Sequence, residues 1–118
     1  MTLAPIFDRE GQVAGWFEAD RLYSPTGSVV GWQRDGAVYA SDGSHVGWLE
    51  RGQFRDAAGC VVAWVDGSLG RPEKPAAEMA GRGPVAGPAP IRPSFSRRMG
   101  RVPFVPQWST RDWHSYLG

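Results

Sequence analysis

The stretch VVGWQRDGAVYASDGSHVGWLERG, residues 29–52, contains the pair Gly-Trp twice, at Trp32 and Trp48. These tryptophans lie sixteen residues apart, and the same interval leads outward to Trp16 and Trp64. Each tryptophan follows a second glycine by five positions, and those glycines are Gly11, Gly27, Gly43 and Gly59. A fixed period of this kind indicates an internal repeat, so residues 1–70 are predicted to contain four copies of one unit.

Each unit is predicted to be a β-hairpin. The repeated glycines lie in turn motifs, and Asp42-Gly43 is the strongest hairpin signal among them. A second turn follows each tryptophan, as at Asp35-Gly36 and Arg51-Gly52. Short segments rich in Val, Tyr, Phe and Trp separate the turns and leave no room for helices. The fold class is therefore all-β: four 16-residue hairpin repeats in a pseudo-fourfold meander.

Side-chain alternation along the second strand of each hairpin assigns its two faces. The tryptophans share a face with an apolar column, made of Ala14, Val30, Val46 and Val62. This face is predicted to be the core, with the four indoles packed around a common axis. The opposite face carries Gly15, Gly31 and Gly47, and it is expected to be only partly covered. Glycine inside a strand indicates that another backbone or ring approaches closely there.

The composition changes after Gly70, because eight of the ten prolines follow it. Residues 71–101, rich in Pro, Gly and Arg, are predicted to form an extended linker. Residues 102–118 are predicted to be an aromatic docking tail that ends in a short helix. Its docking residues are Phe104, Trp108, Trp113, Tyr116 and Leu117. Ser109 is the predicted N-cap of the helix, since an acid follows three residues later.

The order of these parts resembles the small bacterial proteins called four-fold β-flower proteins. The resemblance rests on PIFDREGQVAGW near the start, VYASDGSHVGWL in the third repeat and QFRDAAGCVVAWVDG in the fourth. A Gly/Pro-rich stretch and the closing PQWSTRDWHSYLG complete it, so it spans nearly the whole chain. The resemblance implies four β units around a central axis. It implies no activity and no functional residue.

Charge and cysteine content bear on partners and compartment. Residues 1–70 hold five arginines against nine acidic residues, a net charge of −4, and residues 71–118 carry +5. An acidic body and a basic tail attract one another, or each faces a different partner. Cys60 is the single cysteine, which favours a reducing cytoplasm. No signal peptide and no membrane-spanning apolar run are visible in the sequence.

Several residues are candidates for ligand binding. Trp16, Trp32, Trp48 and Trp64 could line an axial aromatic cage for a cation, although a plain core role is favoured. His45 replaces valine in its column and is a candidate ligand or proton acceptor, against the preferred interpretation of a half-exposed surface histidine. Arg97, Arg98 and Arg101 form a basic cluster suited to single-stranded nucleic acid, although pairing with acidic turns is favoured.

No catalytic, metal or cofactor site is predicted. Asp8 and Asp56 share a column, but turn acids of this kind bind backbone amides more often than they perform acid–base chemistry. Cys60 has no histidine partner in sequence that would activate it. The two histidines, without a cysteine pair, make no zinc signature.

The leading hypothesis is therefore a small, non-catalytic binding or scaffolding module. Its expected contacts are its own C-terminal tail, a second copy in a homodimer, or a protein partner. The alternative is a small-ligand binder that uses the tryptophan cluster at the axis. A nucleic-acid accessory role is the weaker alternative, because the acidic body would repel phosphates.

Overall fold

The computed structural model describes residues 3–88 and 90–118; Met1, Thr2 and Ala89, which belong to the predicted repeat and linker segments, lie outside the described residues. Eight antiparallel strands pair in chain order, and β8 pairs with β1 to close a barrel. The strands are β1 Ala4–Phe7, β2 Val13–Glu18, β3 Arg21–Tyr23, β4 Val29–Arg34, β5 Ala37–Ala40, β6 His45–Glu50, β7 Gln53–Arg55 and β8 Val61–Val65. One helix, α1 Trp113–Leu117, follows near the C-terminus. The all-β fold of four hairpins is confirmed.

The four hairpins share one construction. Each odd-numbered strand pairs with the next strand through a register shift, the first between Ile6 and Phe7 and the last between Phe54 and Arg55. In each turn the glycine N–H donates to the residue three positions earlier, as Gly11 does to Asp8 over 3.0 Å. These turn glycines have φ between +82° and +98°, a region in which a side chain is strained. Each sixteen-residue repeat of the sequence thus corresponds to one hairpin.

The interior of the barrel contains the face that carries the glycines, and not the tryptophans. The rest of the predicted core face, the column of Ala14, Val30, Val46 and Val62, does pack with the interior cluster. The centre of the interior is a ring of four side chains exposed by 1% or less, which are Ile6, Leu22, Val38 and Phe54. Phe17, Leu49 and Val65 pack against this ring. The four tryptophans follow the inward-facing glycines or Ala63 in sequence, so their side chains lie on the outer face of the barrel. The prediction that the indoles meet at the axis is wrong.

Three glycines of the inner face make room for α1. A Cβ atom on Gly15 would lie 2.5 Å from Trp113 Nε1, and one on Gly31 would lie 2.9 Å from Leu117 Cδ2. The predicted close approach of another backbone or ring is therefore confirmed, for example by Trp113 at Gly15 and the Tyr39 carbonyl at Gly31. Trp113 also packs edge-on against Phe54, with ring centroids 5.0 Å apart. The helix thus completes the core of the barrel, and the tail docks on its own chain.

The helix begins three residues later than predicted. Its N-cap is Asp112, whose carboxylate accepts from Ser115 N–H at 2.8 Å, while Ser115 Oγ accepts from Asp112 N–H. Ser109, the predicted N-cap, is instead buried, and its hydroxyl donates to Asp56 Oδ2 over 2.5 Å. The hydroxyl thus ties the tail to the fourth hairpin turn, and the Ser109 N–H donates to Val61 O at the start of β8.

The tail wraps around the outside of the barrel in steps of nine residues. Four tail amides donate in turn to the carbonyls of the four turn glycines, at distances of 2.8–3.2 Å. The pairs are Glu78 with Gly11, Gly87 with Gly27, Ser96 with Gly43, and Val105 with Gly59. The carbonyl two residues before each of these amides packs where a Cβ on the glycine would stand. Residues 71–101 hold no helix or strand among the described residues, but they are not a free linker.

The outward tryptophans are buried, and three of them, Trp16, Trp32 and Trp48, pack with residues of the wrapped tail. Their side chains are only 2–6% exposed, although they lie outside the barrel. Trp16 packs under Gly83, and Trp48 lies 6.1 Å from the Phe104 ring. Trp32 packs with Tyr39, and Phe95 of the tail stacks on that tyrosine at 4.0 Å. The chain therefore has two cores, one inside the barrel and one between barrel and tail.

The basic tail and the acidic barrel form ion pairs with each other. Tail arginines pair with acidic residues at the turns of the barrel: Arg92 with Asp20 at 2.5 Å, Arg101 with Glu50 at 2.9 Å, and Arg98 with Asp35 at 4.0 Å. These pairs are partly or largely exposed, so each stabilises the tail only weakly. Together these pairs orient the basic tail over the acidic barrel.

Replacing Gly47 tests the fit of α1 against the barrel. A Cβ there would lie 2.6 Å from the Tyr116 hydroxyl and would overlap the Arg55 carbonyl. Gly47→Ala is expected to lower the free energy of unfolding by about 1–3 kcal/mol, the usual cost of overpacking. Gly100→Ala is the control, because nothing lies within 4 Å of a Cβ there. Equal denaturant midpoints for the two variants would contradict the placement of α1.

Candidate functional site

The fourth hairpin departs from the other three at β7. The position held by Phe7, Tyr23 and Tyr39 is Arg55 in this repeat. Two positions earlier, Gln53 stands where the other units have Pro5, Arg21 and Ala37. A guanidinium and an amide thus occupy one sector of a surface that elsewhere is largely aromatic.

Arg55 is a buried cation with incomplete partners. Its residue is 7% exposed, and its Nη1 donates to Gly59 O at 2.6 Å and Val105 O at 2.7 Å. The guanidinium carbon lies 4.6 Å from the centre of the Phe104 ring. Its Nε is buried without a hydrogen-bond partner. Among the described residues no carboxylate lies within 4.0 Å of this guanidinium, and burial lowers its pKa.

Gln53 and Lys74 fix the segment that leaves β8. Gln53 is 2% exposed, and its Nε2 donates to Leu69 O at 2.9 Å. Lys74 Nζ donates to Gln53 Oε1 at 2.5 Å and to Gly70 O at 2.8 Å. Burial lowers the pKa of this lysine, since its ammonium loses water. The polar pair therefore holds residues 66–74 across the barrel surface beside Arg55.

These elements enclose a cleft of about 370 Å³. Its charged lining residues are Arg51, Arg55, Arg71 and Glu50, which together carry a net charge of +2. Leu69, Phe104, Val105 and Pro106 supply an apolar part of the wall. A concave surface with a few polar groups and an apolar wall is typical of a small-molecule site.

A second, smaller cleft of about 250 Å³ lies beside α1. Ala14, Val30 and Leu117 are among its lining residues. Its surface is more apolar, and the side chains that line it include no buried charge. Its lining includes Trp113, whose Nε1 is also a buried donor without a partner among the described residues, so the cleft at Arg55 differs by its buried charge.

His45 is a structural connection between β6 and the tail. It is 8% exposed, so the preferred interpretation of a half-exposed histidine is wrong. Its Nδ1 accepts from Met99 N–H at 2.8 Å, and its Nε2 lies 2.7 Å from Gly47 O, which only a protonated Nε2 can satisfy. The ring is therefore neutral, and its pKa is lowered, first by burial and also by the Arg98 charge.

The tryptophan candidates are not brought together. Each indole lies in a different sector of the outer surface, and the aromatic contacts of Trp48 and Trp64 are with His45, Phe104 and Phe7. Trp64 Nε1 donates to Asp8 O at 2.7 Å, which fixes that ring in place. An axial aromatic cage is therefore not formed by Trp16, Trp32, Trp48 and Trp64, because they surround the barrel and not its axis.

The basic cluster is largely engaged within the chain. Arg98 donates to Tyr39 Oη at 3.1 Å and to Arg34 O at 3.2 Å, besides its contact with Asp35. Arg101 pairs with Glu50 and lies 4.9 Å over the Phe104 ring. Arg97 is exposed. Of the three residues predicted as a basic patch, two thus serve to hold the tail on the barrel.

The predicted docking residues all lie against the barrel. Trp113, Tyr116 and Leu117 are buried, and the Tyr116 hydroxyl donates to Arg55 O at 2.8 Å. Trp108 makes a parallel bridge to Val61, while Phe104 lies under Arg55 in the cleft. The tail therefore contributes one wall of the candidate site.

The acidic and thiol candidates have structural surroundings. Asp8 Oδ1 accepts from the amides of Glu10 and Gln12, and Asp56 Oδ1 accepts from those of Ala58 and Cys60. Both carboxylates therefore close turns. Burial raises the pKa of the half-buried Cys60 thiol, which opposes its activation as a nucleophile. In the part of the chain that the structure describes, no group of three or more His, Cys, Asp or Glu residues is arranged to hold a metal ion.

Sequence reasoning missed Arg55, Gln53 and Lys74 as site residues. The signal for Arg55 was visible, since it interrupts a column of three aromatic residues. Its burial was not visible, because a charged residue next to a turn usually faces solvent. The tail encloses it with Phe104 and Val105, and Gly59 of the turn accepts from it.

The surroundings of His45 predict a pH-dependent stability. Its folded pKa lies below the ordinary 6.5, so the unfolded chain binds a proton that the folded chain refuses. Stability is therefore present above pH 6.5 and is lost as the pH falls through the lowered value. His45→Val, which restores the residue of the other repeats, removes this dependence. Urea unfolding between pH 7 and 5 should show the wild type losing more stability than this variant; parallel profiles would contradict the assignment.

Among the residues that the structure describes, no helix has the length and apolarity needed to cross a membrane. Comparisons with curated proteins and with solved structures found no match. A comparison with protein-family models found one for the 4-fold beta flower protein, which matches residues 4–117. That match covers all eight strands, the wrapped tail and α1. The chain belongs to the 4-fold beta flower protein family.

Proposed function

We propose that this chain is a non-catalytic binding module, and that it holds a small ligand in the cleft beside β7. The observation that carries the proposal is the guanidinium of Arg55, which lines the cleft and, among the described residues, has no carboxylate within 4.0 Å. A buried cation without a counter-charge costs stability, and a ligand that carries the opposite charge would offset that cost.

The chain itself supplies the comparison for this argument. In the third repeat Tyr39 stands in the position of Arg55, and Phe95 of the tail stacks on it at 4.0 Å. Phe104, nine residues after Phe95, is the tail residue that lies under Arg55. An aromatic pair would therefore fit the fourth repeat as it fits the third. A buried cation is the costlier choice for stability alone.

The groups in the cleft favour binding over catalysis. Arginine stays protonated and glutamine does not titrate, so neither transfers a proton at neutral pH. Glu50, the acidic residue of the lining, is paired with Arg101 at 2.9 Å. Donors fixed in place, with a wall of Leu69 and Phe104 beside them, are suited to recognition.

Fragment binding followed by NMR tests this proposal. We expect small aromatic acids, amides and alcohols to shift amide resonances at Leu69, Gly70 and Val105, which surround the cleft. Arg55→Tyr should keep the fold, since it repeats the pairing of Tyr39, but it should abolish these shifts. Shifts that scatter over the surface, or that centre on the cleft beside α1, would contradict the assignment.

Self-association is a second candidate function, favoured by a different observation. Met79, Val85 and Ile91 are 98%, 92% and 96% exposed, although the tail that carries them is hydrogen-bonded to the turn glycines. Apolar side chains held outward on a fixed backbone are suited to contact with a second copy of the chain.

Sedimentation velocity tests this second candidate. A dimer is expected for the wild type, and replacement of Met79, Val85 and Ile91 by serine should convert it to a monomer. Thermal stability should change little, because these side chains make few contacts with the barrel. A wild type that stays monomeric at its highest soluble concentration would overturn the candidate. The cleft at β7 does not depend on this result.

A further inference from the structure

We propose that the chain forms a two-fold symmetric dimer in which Arg82 of each copy pairs with Glu18 of the other. This inference rests on self-association, the second candidate function above, because it names the surface and the residues that set its register. It follows from a cleft at the first hairpin, from two charges that the described part of the chain leaves unpaired there, and from the fixed backbone beside them.

A cleft of about 550 Å³ lies between the first hairpin and the tail. Leu3 and Glu18 line it on the side of the barrel, and residues 81–86 line it on the side of the tail. Its apolar lining includes Pro84 and Val85, and Val85 is 92% exposed. Exposed apolar groups beside charged ones are typical of a surface that contacts another protein.

The cleft is lined by one charge of each sign. Among the described residues, no carboxylate lies within 4.0 Å of the Arg82 guanidinium, and no cationic group lies within 4.0 Å of the Glu18 carboxylate. This includes Arg21, which is opposite Glu18 in the pairing of β2 with β3. Arg82 is exposed and Glu18 is half-buried, so both are accessible to a second molecule.

One cation and one anion on the same face make that face complementary to itself. A two-fold axis between them places Arg82 of one copy against Glu18 of the second copy, and the same rotation forms the reverse pair. Each dimer thus gains two ion pairs that set the register, while burial of Val85 beside them supplies apolar contact. The net charge of the chain is only +1, so two copies repel one another weakly at long range.

The tail segment that lines the cleft is fixed within its own chain. On either side of it, the amides of Glu78 and Gly87 donate to turn-glycine carbonyls at 2.8 Å. Between them, a Cβ on Gly83 would lie 3.2 Å from the ring of Trp16, so this glycine packs directly on the indole. A surface that is ordered in advance loses less conformational entropy on binding, so it is suited to dock against a second folded surface.

Charge reversal tests the pairing, with sedimentation velocity of the full chain at constant ionic strength as the measurement. The variants are Glu18→Arg and Arg82→Glu, and the matched controls are Glu10→Arg and Arg97→Glu, at exposed positions that do not line this cleft. Each variant places like charges together twice in its homodimer, so its dissociation constant should rise by about tenfold or more. The controls should dimerise as the wild type does.

An equal mixture of Glu18→Arg and Arg82→Glu decides whether the pair joins two copies. In the mixed dimer every cation again meets an anion, so the mixture should dimerise with an affinity close to that of the wild type. Mixing cannot restore a pair within one chain, so weakened variants that the mixture does not rescue would overturn the inference. If Glu18→Arg does not fold, the comparison of Arg82→Glu with Arg97→Glu decides, and equal dissociation constants would contradict the pairing.

The remaining outcomes separate this inference from self-association itself. A dimer that resists both reversals overturns the pairing, and self-association through the tail stands if serine substitution of Met79, Val85 and Ile91 still abolishes that dimer. A wild type that stays monomeric at its highest soluble concentration overturns both.

Discussion

Four hydrogen bonds from the tail to the turn glycines are the constraint on which the rest of the structure depends. The tail advances by nine residues for every sixteen of the barrel, and each step ends on a glycine carbonyl. Because the bonded chain lies directly over these turns, a side chain there would collide with it. The glycines therefore serve the turn and the tail contact together. Without this register the outward tryptophans would face water.

The interior of the barrel is shared between side chains of the strands and those of α1. It takes one ring of Ile6, Leu22, Val38 and Phe54, while the glycines of β2, β4 and β6 leave space for α1. The indoles of the strands lie outside, where Trp16, Trp32 and Trp48 pack with the tail. In a chain of 118 residues this arrangement adds a second apolar layer to a small core. The tail is therefore as much a part of the folded structure as the barrel.

The same constraint explains the candidate site. Where the tail crosses the first three hairpins, it covers aromatic or apolar residues. At the fourth it covers Arg55, and the segment fixed by Gln53 and Lys74 stands opposite. The cleft thus forms at the fourth hairpin, where the residue under the wrapped tail is charged and not aromatic or apolar. Any ligand there would contact the barrel and the tail together.

The sequence predicts the repeats well, and it predicts the interior poorly. A period of sixteen residues specifies four hairpins, since turn glycines and alternating strands leave few other folds. Alternation says that Gly15 and Trp16 face opposite sides, but it does not say which side is inside. The tryptophan face is apolar in every repeat, whereas the opposite face includes Gln33 and His45, so the sequence favours the tryptophan face as the core.

The correct choice between the two faces of the strands depends on the tail. Pro75, Pro84 and Pro93 recur every nine residues, as do Phe95 and Phe104. This nine-residue period can be read from the sequence, and it predicts that the tail forms an outer layer. The burial of Arg55 was not readable, because it arises only when the tail closes over β7.

Native-state hydrogen exchange at the amides of Glu78, Gly87, Ser96 and Val105 tests the central claim most directly. We expect these four amides to be protected, and to exchange through the same global opening as the amide of Val38 in β5. Exchange of the four at the rate of an unstructured chain, while Val38 stays protected, would contradict the account.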